Sequence, residues 1–555
     1  MSGVLASAIT GQKKYLAGGA VLAASHQAGE VLVPVIIGVV IDQAVTERDS
    51  GALVRWIAVL AVVFAVLSFS YRLSARFATR AAELAAHDLR LRLTERTLHP
   101  RGGAETGRLP GELVTIATGD AKRVGGVHIA LAASISALTG LVGGGIALLS
   151  VSVPLGLVVL LGIPPLLLAG HFLGKPLERR SGAEQERAAH ASGVAADLIA
   201  GLRVLKGIGA ERTAVERYRR TSRDSLAATL RAATAQAWHD GAMIILTGAF
   251  IALVALVGGR LAAAGDISIG QLVAAVGLAQ LLLTPLSILA WANGELAQGR
   301  ASAVRIAEVL ASPHAVTGGR DAPSEPVRGH VRLRDVSHGA LDGLTLDIAP
   351  GETLGVVTAD PATATTLLQL LGRACDPESG VIELDGVPLP SLDPGAVRRA
   401  VVVAEHDADL FEGTLLDNVT AAAPGPPEPA MDAAAADEVA ANLPEGAATV
   451  LTERGRSLSG GQRQRVALAR ALATDAPVLV LHDPTTAVDA VTEARIATGL
   501  QKSRAGRTTI VVATSPALLA AADRVAFVQD GTVTAEGTHA ALVHDHETYR
   551  ATVLS

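Results

Sequence analysis

Cysteine, aromatic side chains and charge are all scarce in this sequence. Its one cysteine, Cys375, cannot form an internal disulfide, and we expect a small buried apolar side chain there. Aromatic residues make up 3% of the 555 positions, so an aromatic-rich drug pocket is not evident. Charged residues make up 18%, and the net charge of −6 argues against nucleic acid as the main partner.

Apolar residues are abundant instead, at 50% of the chain with a mean hydropathy of +0.40, which indicates a membrane protein. A bilayer core of ~30 Å requires roughly 20 helical residues. Six segments meet that length, at residues 15–41, 54–71, 127–151, 155–173, 241–264 and 267–290. The third and fourth share an uncharged stretch with a turn near Val153. The first continues as a span without a cleavage pattern, so no signal peptide is expected.

The distribution of basic residues predicts the orientation of these spans. Segments 72–123 and 175–231 are long and rich in arginine. The connections near 42–51, 150–156 and 258–270 are short, and their basic residues are Arg48 and Arg260. The long segments are therefore expected to be cytoplasmic helical extensions, with both termini on the same side. Arginine outnumbers lysine 41 to 6, a composition that suggests a bacterium with a GC-rich genome and hence its plasma membrane.

The second half of the chain alternates strand and helix patterns. Residues 329–336, 343–348 and 353–358 have the pattern of strands, and 478–481 and 508–513 are continuous apolar runs typical of buried strands. That alternation predicts an α/β domain. We expect a transmembrane domain at residues 1–312, a linker at 313–326 and the α/β domain at 327–555.

The most informative motif is Leu458-Ser459-Gly460-Gly461-Gln462, which stands just before a helical pattern. A hydroxyl and glycine amides at the start of a helix favour an anion, and glycine lets the backbone approach a phosphate closely. With Thr452-Glu453-Arg454-Gly455 before it, the motif resembles the signature of ATP-binding-cassette (ABC) proteins. The alternative is an ordinary glycine turn before an amphipathic helix.

This resemblance implies a fold, a ligand and a partner. The fold is multidomain: a six-helix all-α transmembrane domain of the exporter type, followed by an α/β nucleotide-binding domain of the P-loop NTPase type. In the family, ATP and Mg²⁺ lie between the Walker motifs of one cassette domain and the signature of another. We call the site formed by this chain's Walker positions the cis site. We call its contribution to a partner's site, residues 458–462 with Asp489, the trans surface.

Against the family pattern, the cis site is degenerate. After the Walker A lead-in at 351–353, the chain has Ala364 at the position of the phosphate-binding lysine, and the only lysine beyond the linker is Lys502. Other family residues are replaced by His406 (the Q-loop glutamine), His482 (the Walker B aspartate), Asp483 (the catalytic glutamate) and Thr514 (the switch histidine). Thr365 and Thr366 are the residual candidates for nucleotide contact. A metal cluster of His482, His406 and Asp483 has no support from spacing.

Asp360 followed by Pro361 is typical of a helix cap with proline in the first turn. We expect the Asp360 carboxylate to occupy the position of a bound anion. The trans surface, by contrast, keeps the family residues Ser459, Gly460, Gly461, Gln462 and Asp489. This pattern predicts a heterodimer: a second half-transporter with intact Walker motifs binds ATP and Mg²⁺, while nucleotide at the cis site is weak or absent.

The predicted function is ATP-driven export of a small molecule, lipid-like compound or peptide, with ATPase activity only in the heterodimer. A regulatory or channel-like subunit, a decaying gene product and an importer of the exporter fold are the alternatives. His26 and Glu30 lie four residues apart in the first span. Ionisable residues in a membrane helix face a cavity or a partner, so the pair belongs either to the cargo path or to a structural contact between helices. Segments 109–113 and 204–211 resemble the family's coupling regions.

Overall fold

The computed structural model describes residues 3–406 and 409–554. Contacts between residues divide the chain into two compact units. One contains the residues up to Arg92 together with Val114–Glu308, and the other contains Leu93–Leu113 together with the residues from Val309 onward. Segment 93–113 therefore belongs with the C-terminal half. The linear boundaries of the domains at 312 and 326 stay predictions.

The first unit is helical. Within the described residues, six helices are long and apolar enough to cross a membrane: Lys13–Thr46, Ser50–Thr97, Pro110–Val151, Val153–Ala200, Glu211–Ala264 and Ile269–Leu310. The α-helices of residues 3–310 are α1 (Gly3–Gly11), α2 (Lys13–Val40), α3 (Ser50–Thr97), α4 (Pro110–Thr115), α5 (Ala121–Val151), α6 (Val153–Ala200), α7 (Leu202–Gly207), α8 (Glu211–Ala264), α9 (Ile269–Leu281) and α10 (Leu283–Leu310). Single π-helical stretches, Ile41–Thr46 and Ile116–Asp120, join some of them. The six-span prediction is confirmed.

Capping residues set the ends of these helices. The Ser152 hydroxyl accepts from the Leu155 amide and caps α6, so that Ser152 alone separates α5 from α6 at the predicted turn. Ser268 and Gln271 form a capping box at the start of α9, so the last span begins two residues later than the sequence pattern indicated. Helices α3, α6 and α8 contain 48, 48 and 54 residues, far more than a bilayer requires.

A close seam joins α2 to α9. A Cβ atom on Gly38 would lie 2.5 Å from the carbonyl oxygen of Gly270, so neither helix tolerates a side chain at the crossing. Asp42 closes the seam at one end, because its carboxylate accepts from the Ser268 hydroxyl at 2.5 Å and from the Gly270 amide at 2.9 Å. Pro34 contacts the helix at Gly277. Pro34, Gly38 and Asp42 thus all contribute to packing along this seam.

The second unit is α/β. Its strands are β1 (Val331–His338), β2 (Leu341–Ile348), β3 (Thr353–Thr358), β4 (Ser379–Leu384), β5 (Val387–Pro388), β6 (Val401–Ala404), β7 (Gly413–Thr414), β8 (Val450–Leu451), β9 (Val478–His482), β10 (Thr508–Val512), β11 (Arg524–Gln529) and β12 (Thr532–Gly537). Its α-helices are α11 (Pro361–Leu371), α12 (Pro394–Ala400), α13 (Leu415–Thr420), α14 (Glu428–Ala433), α15 (Ala436–Ala441), α16 (Gly460–Ala473), α17 (Ala490–Ser503), α18 (Pro516–Ala520), α19 (His539–Asp545) and α20 (Glu547–Leu554). Short 3₁₀ turns occur at Leu389–Ser391, Gly446–Ala448 and Glu453–Gly455.

Two larger sheets organise this unit. One has four antiparallel strands in the order β2-β1-β4-β5. The other has six strands in the order β12-β11-β3-β10-β9-β6, all parallel except β12. The first strand begins at Val331 rather than 329, because the Asp385 carboxylate binds the Arg328 and His330 amides before the ladder starts. The five predicted strands are otherwise displaced by no more than two residues at either end.

The parallel sheet is buried on both faces. Along β9, Val478 and Val480 pack with β1, β2 and α11, whereas Leu479 and Leu481 pack with α16 and α17. This explains the continuous apolar run, which is typical of a strand covered by helices on both sides. Helix α11 begins three residues after the carboxyl end of β3, and this places its N-terminus at that edge of the sheet.

The seam between α2 and α9 gives a stability prediction. Gly38→Ala adds only the Cβ atom that meets the Gly270 carbonyl, and overpacking of this kind typically costs about 1–3 kcal/mol. We expect a lower midpoint in thermal unfolding of the detergent-purified chain. Gly248→Ala is the matched control, since no atom lies within 4 Å of the new Cβ and alanine favours the helix. Equal midpoints for the two variants would contradict the seam.

Candidate functional site

Most of the predicted cis-site residues meet at one edge of the parallel sheet. Strands β3, β9 and β10 run parallel as neighbours, so their carboxyl ends share this edge. Ala364, His482, Asp483 and Thr514 line a single cavity there of about 390 Å³, together with Asp360. These residues come from three separate parts of the chain, and the topology of the sheet brings them together.

The N-terminus of α11 faces this cavity and carries its own carboxylate. Asp360 is the N-cap: its carboxylate accepts from the Ala362 amide at 3.0 Å, the Thr363 amide at 3.2 Å and the Thr363 hydroxyl at 2.9 Å. Pro361 follows in the first turn and has no amide to offer. The Ala362 amide, with Thr363, holds the pKa of Asp360 below its ordinary value. The amides that would meet an external anion are thus bonded to the chain itself.

Inside α11 the remaining candidates offer little to a ligand. Ala364 is 4% exposed and presents a methyl group to the cavity. The Thr365 hydroxyl donates to the Pro361 carbonyl at 2.9 Å, and the Thr366 hydroxyl donates to the Ala362 carbonyl at 2.8 Å. Neither threonine lines the cavity with Ala364. Both hydroxyls are therefore bonded to their own helix.

The end of β9 positions His482 and Asp483. Asp483 has a φ of 45°, in the left-handed region, and its amide donates to the Val512 carbonyl at 2.9 Å. Its carboxylate lies 3.8 Å from Nε2 of His482. His406 follows β6 and lines a neighbouring cavity of about 540 Å³ that also contains His482, with 6.0 Å between the two ring centroids. Within residues 3–406 and 409–554, no three His, Cys, Asp or Glu side chains are grouped to hold a metal ion.

The trans surface is built around the N-terminus of α16. Ser459 is the N-cap and forms a capping box with Gln462. A Cβ atom on Gly461 would lie 2.4 Å from the Ala487 carbonyl oxygen, so the loop after β9 packs directly on this helix. Asp489 caps α17, accepting from the Val491 and Thr492 amides at 3.1 and 3.0 Å, and its pKa is lowered chiefly by the Thr492 amide.

The sequence analysis missed two residues, one at the trans surface and one in the cis cavity. Gln464 donates to the Thr486 hydroxyl at 2.8 Å and accepts from the Ala487 amide at 2.9 Å, which ties α16 to the loop that carries Asp489. Its place in the helix directly after the signature was an available signal. Thr552 of α20 lines the cis cavity beside Thr514. No sequence motif near Thr552 indicated this position, because only the fold brings α20 to that edge of the sheet.

The membrane half contains a polar cluster at the predicted pair. Nε2 of His26 lies 3.5 Å from Oε1 of Glu30, and Nδ1 of His26 lies 3.1 Å from the Leu67 carbonyl oxygen. Gln27 donates to Oε2 of Glu30 at 2.9 Å. His26 and Glu30 are 17% and 38% exposed at the side chain. The predicted pair is therefore a contact between residues on one helix face, with a bond to α3.

The predicted coupling segments differ in their surroundings. Segment 109–113 lies in the second unit, which includes Ser312; there Arg96 donates to the Ser312 carbonyl at 2.8 Å and Arg108 to the Ser312 hydroxyl at 2.9 Å. Leu109 itself is 75% exposed. Segment 204–211 covers the end of α7 and the turn into α8, with Val204 65% exposed. Both segments present apolar side chains at a surface of the chain.

Comparison with known proteins places both halves of the chain. A family model described as the ABC transporter transmembrane region matches residues 16–286, and one described as ABC transporter matches residues 341–486. A multidrug efflux ATP-binding/permease protein of Mycobacterium tuberculosis is 33% identical over 520 residues, which are 92% of this chain and 43% of that protein. The chain thus spans less than half of this longer relative.

Two relatives of more similar length also match. An ATP-dependent lipid A-core flippase of Thiobacillus denitrificans is 30% identical over 401 residues, covering 70% of this chain and 69% of the flippase. A mycobactin import ATP-binding/permease protein of Mycolicibacterium thermoresistibile is 35% identical over 408 residues, covering 71% and 69%.

The cap on α11 makes a prediction about pH. Because the folded pKa of Asp360 is depressed, its charge stabilises the fold above the ordinary aspartate pKa of about 3.9, and this contribution disappears as the pH falls through the folded value. Asp360→Asn should lower the thermal midpoint at pH 7, with the difference from wild type shrinking below about pH 3.9. Asp530→Asn, in an exposed turn with positive φ, is the control and should show no difference at either pH. A pH-independent difference for Asp360→Asn would contradict the assignment.

Proposed function

Because the chain belongs to the ABC transporter family, as an exporter-type half-transporter, we propose that it is one subunit of a heterodimer that couples ATP binding and hydrolysis to transmembrane export. In this heterodimer it supplies the trans surface to a partner half-transporter. Its own cis site is catalytically inactive. The cargo is a small molecule, a lipid-like compound or a peptide.

The carboxylate of Asp360 at the N-terminus of α11 is the observation that carries this proposal. A helix N-terminus binds anions because its first amides lack partners within the helix. Here two of those amides and one hydroxyl already bind Asp360. A phosphate arriving at this position would meet a negative charge in place of free donors, so nucleotide binds weakly or not at all.

The ATP and Mg²⁺ that the family implies do not fit the cis residues. Position 364 offers a methyl group where the phosphates call for a cation, and a charge-assisted hydrogen bond contributes roughly 1.5–3 kcal/mol. His482 offers a ring nitrogen where Mg²⁺ prefers oxygen ligands. Asp483, with its backbone in the left-handed region, ends one methylene short of the glutamate that orients a water in the family. We therefore assign no catalytic step to this cavity.

The trans surface supports the opposite conclusion for a partner's site. Ser459, Gly460, Gly461 and Gln462 keep the residue types of the family signature, and Ser459 and Gln462 start α16 with a complete capping box. Gln464 fixes this helix to the loop that leads to Asp489. These residues offer donors and a helix N-terminus to a phosphate, with ATP and Mg²⁺ held by the partner's Walker motifs.

A homodimer would repeat the same deficient cis site twice. Each composite site would combine an intact trans surface with a Walker A loop lacking lysine and a Walker B strand with His482 in place of its aspartate and Asp483 in place of the catalytic glutamate. ATP hydrolysis therefore requires a partner of different sequence. ATPase activity belongs to the heterodimer, and this chain is an ATP-driven translocase only as part of it.

The chain is a multi-pass membrane protein, and we place it in the bacterial plasma membrane with both termini and the cassette domain in the cytoplasm. The arginine-rich extensions of α3, α6 and α8 support that orientation. Two relatives are named for efflux and for lipid flipping, which supports export. Import is the second candidate, because a relative at 35% identity is named for mycobactin import. Transport into or out of sealed vesicles containing the heterodimer decides between them.

The first test is hydrolysis in trans. The purified chain reconstituted alone should show background ATPase activity, and addition of a partner with intact Walker motifs should restore turnover. In that heterodimer, Ser459→Ala should lower turnover by about a hundredfold, as expected for loss of a donor to a developing charge. Thr514→Ala, in the cis cavity, should leave turnover unchanged. Robust turnover by the chain alone would overturn the heterodimer proposal.

The second test restores binding in cis. The double variant Asp360→Gly with Ala364→Lys frees the amides of α11 and adds a cation that reaches the cavity. We expect ATP affinity, measured by a fluorescent nucleotide on the chain alone, to rise by roughly 10- to 150-fold. The matched control changes another capped helix, α12, through Asp393→Gly with Ala396→Lys, and should not alter binding. Tight Mg-ATP binding by the unaltered cis site would contradict the account of Asp360.

A further inference from the structure

Glu30 is a carboxylate near the middle of the membrane. The first predicted span, residues 15–41, is centred on position 28, and at 1.5 Å per residue Glu30 lies within about 3 Å of that depth. This span contains no other acidic residue and no lysine or arginine. A charge at this depth is costly unless it has a partner or faces a water-filled cavity. Its surroundings therefore indicate what it binds.

Gln27 fixes the position of one carboxylate oxygen. Its side-chain amide donates to Oε2 of Glu30 at 2.9 Å, while its own oxygen accepts from the Ser136 hydroxyl of α5 at 3.3 Å. Gln27 is 4% exposed and packs against α5 at Gly140, where an added Cβ atom would lie 2.8 Å from Cγ of Gln27. The carboxylate of Glu30 is thus held in place from its buried side.

His26 lies beside the other carboxylate oxygen. Its Nδ1 atom lies 3.1 Å from the Leu67 carbonyl oxygen of α3, and its Nε2 atom lies 3.5 Å from Oε1 of Glu30. The ring of His26 is therefore oriented by a backbone group of α3, with one nitrogen toward Glu30.

The exposed side of the Glu30 carboxylate is accessible to a cationic group. Its side chain is 38% exposed, against 17% for His26, and the distance of 3.5 Å exceeds that of an ordinary hydrogen bond. A carboxylate exposed at this depth faces a cavity or another protein surface rather than acyl chains. The titratable group that α3 brings to the pair is Tyr71, whose ring lies 5.1 Å from that of His26. From α5 and α9, the described contacts bring glycine, serine and apolar residues.

We propose that Glu30, positioned by Gln27 beside His26, binds a cationic group of the cargo. That the bound cation is cargo depends on the proposed transport function, whereas the binding site itself does not.

Direct binding to the full chain in lipid nanodiscs tests this without ATP or a partner. The probe is radiolabelled tetraphenylphosphonium, whose charge is independent of pH, with tetraphenylborate as an anion of matched size and shape. We expect saturable binding of the cation only, with the affinity falling roughly tenfold or more in Glu30→Gln, since a charge-assisted contact is lost. Glu295→Gln, which changes another acidic residue of the membrane half, is the matched control and should bind as wild type does. Empty nanodiscs correct for partitioning.

Equal affinity in Glu30→Gln and wild type, or binding of tetraphenylborate as tight as that of the cation, would each overturn the inference. Failure of these measurements with normal ATPase activity of the heterodimer would refute the cation site alone. Success with no ATPase activity would refute only the heterodimer.

Discussion

The first amides of a helix lack hydrogen-bond partners within that helix, and two helices of this chain bind theirs in different ways. At α11 the carboxylate of Asp360 binds them, so the helix is complete without a ligand. At α16 a neutral hydroxyl, Ser459, binds a single amide, and the two glycines that follow add no side chain or charge. The same requirement is therefore met in one place by a full negative charge and in another by a residue that leaves the terminus electropositive. We therefore expect an anion to be excluded from the first helix and favoured at the second.

The membrane half obeys a related constraint under harsher conditions, because no water is available to satisfy a polar group in hydrocarbon. Asp42 is matched by the Ser268 hydroxyl and the Gly270 amide, and this contact locks the seam made by Gly38 and Gly270. Glu30 accepts a hydrogen bond from Gln27 on its buried side, and its other oxygen lies 3.5 Å from Nε2 of His26. The carboxylate of Asp42 thus serves helix packing, whereas that of Glu30, as we propose, also binds a cation.

Sequence patterns predicted the elements of this fold better than their contacts. Apolar runs identified all six spans and three strands of the parallel sheet, β3, β9 and β10, because burial on both faces leaves a direct compositional signal. The N-cap Asp360 was also predictable, since an aspartate before a proline is a local pattern. Pairings between distant segments were not predictable. Gly38 meets Gly270 across more than two hundred residues, and Thr552 reaches the cis cavity from the far end of the chain, so neither contact leaves a local trace.

The fold is compatible with the proposed degeneration of the phosphate site. The buried face of α11, which includes Leu367, Leu368 and Leu371, packs against the sheet independently of the helix's first turn. Alanine at position 364 therefore does not disturb that face, and Asp360 binds amides of the first turn. The trans surface has less freedom, because Gly461 packs against Ala487 and Gln464 binds the adjacent loop. A degenerate cis site, as we propose it, is thus compatible with a stable domain that presents its signature to a partner.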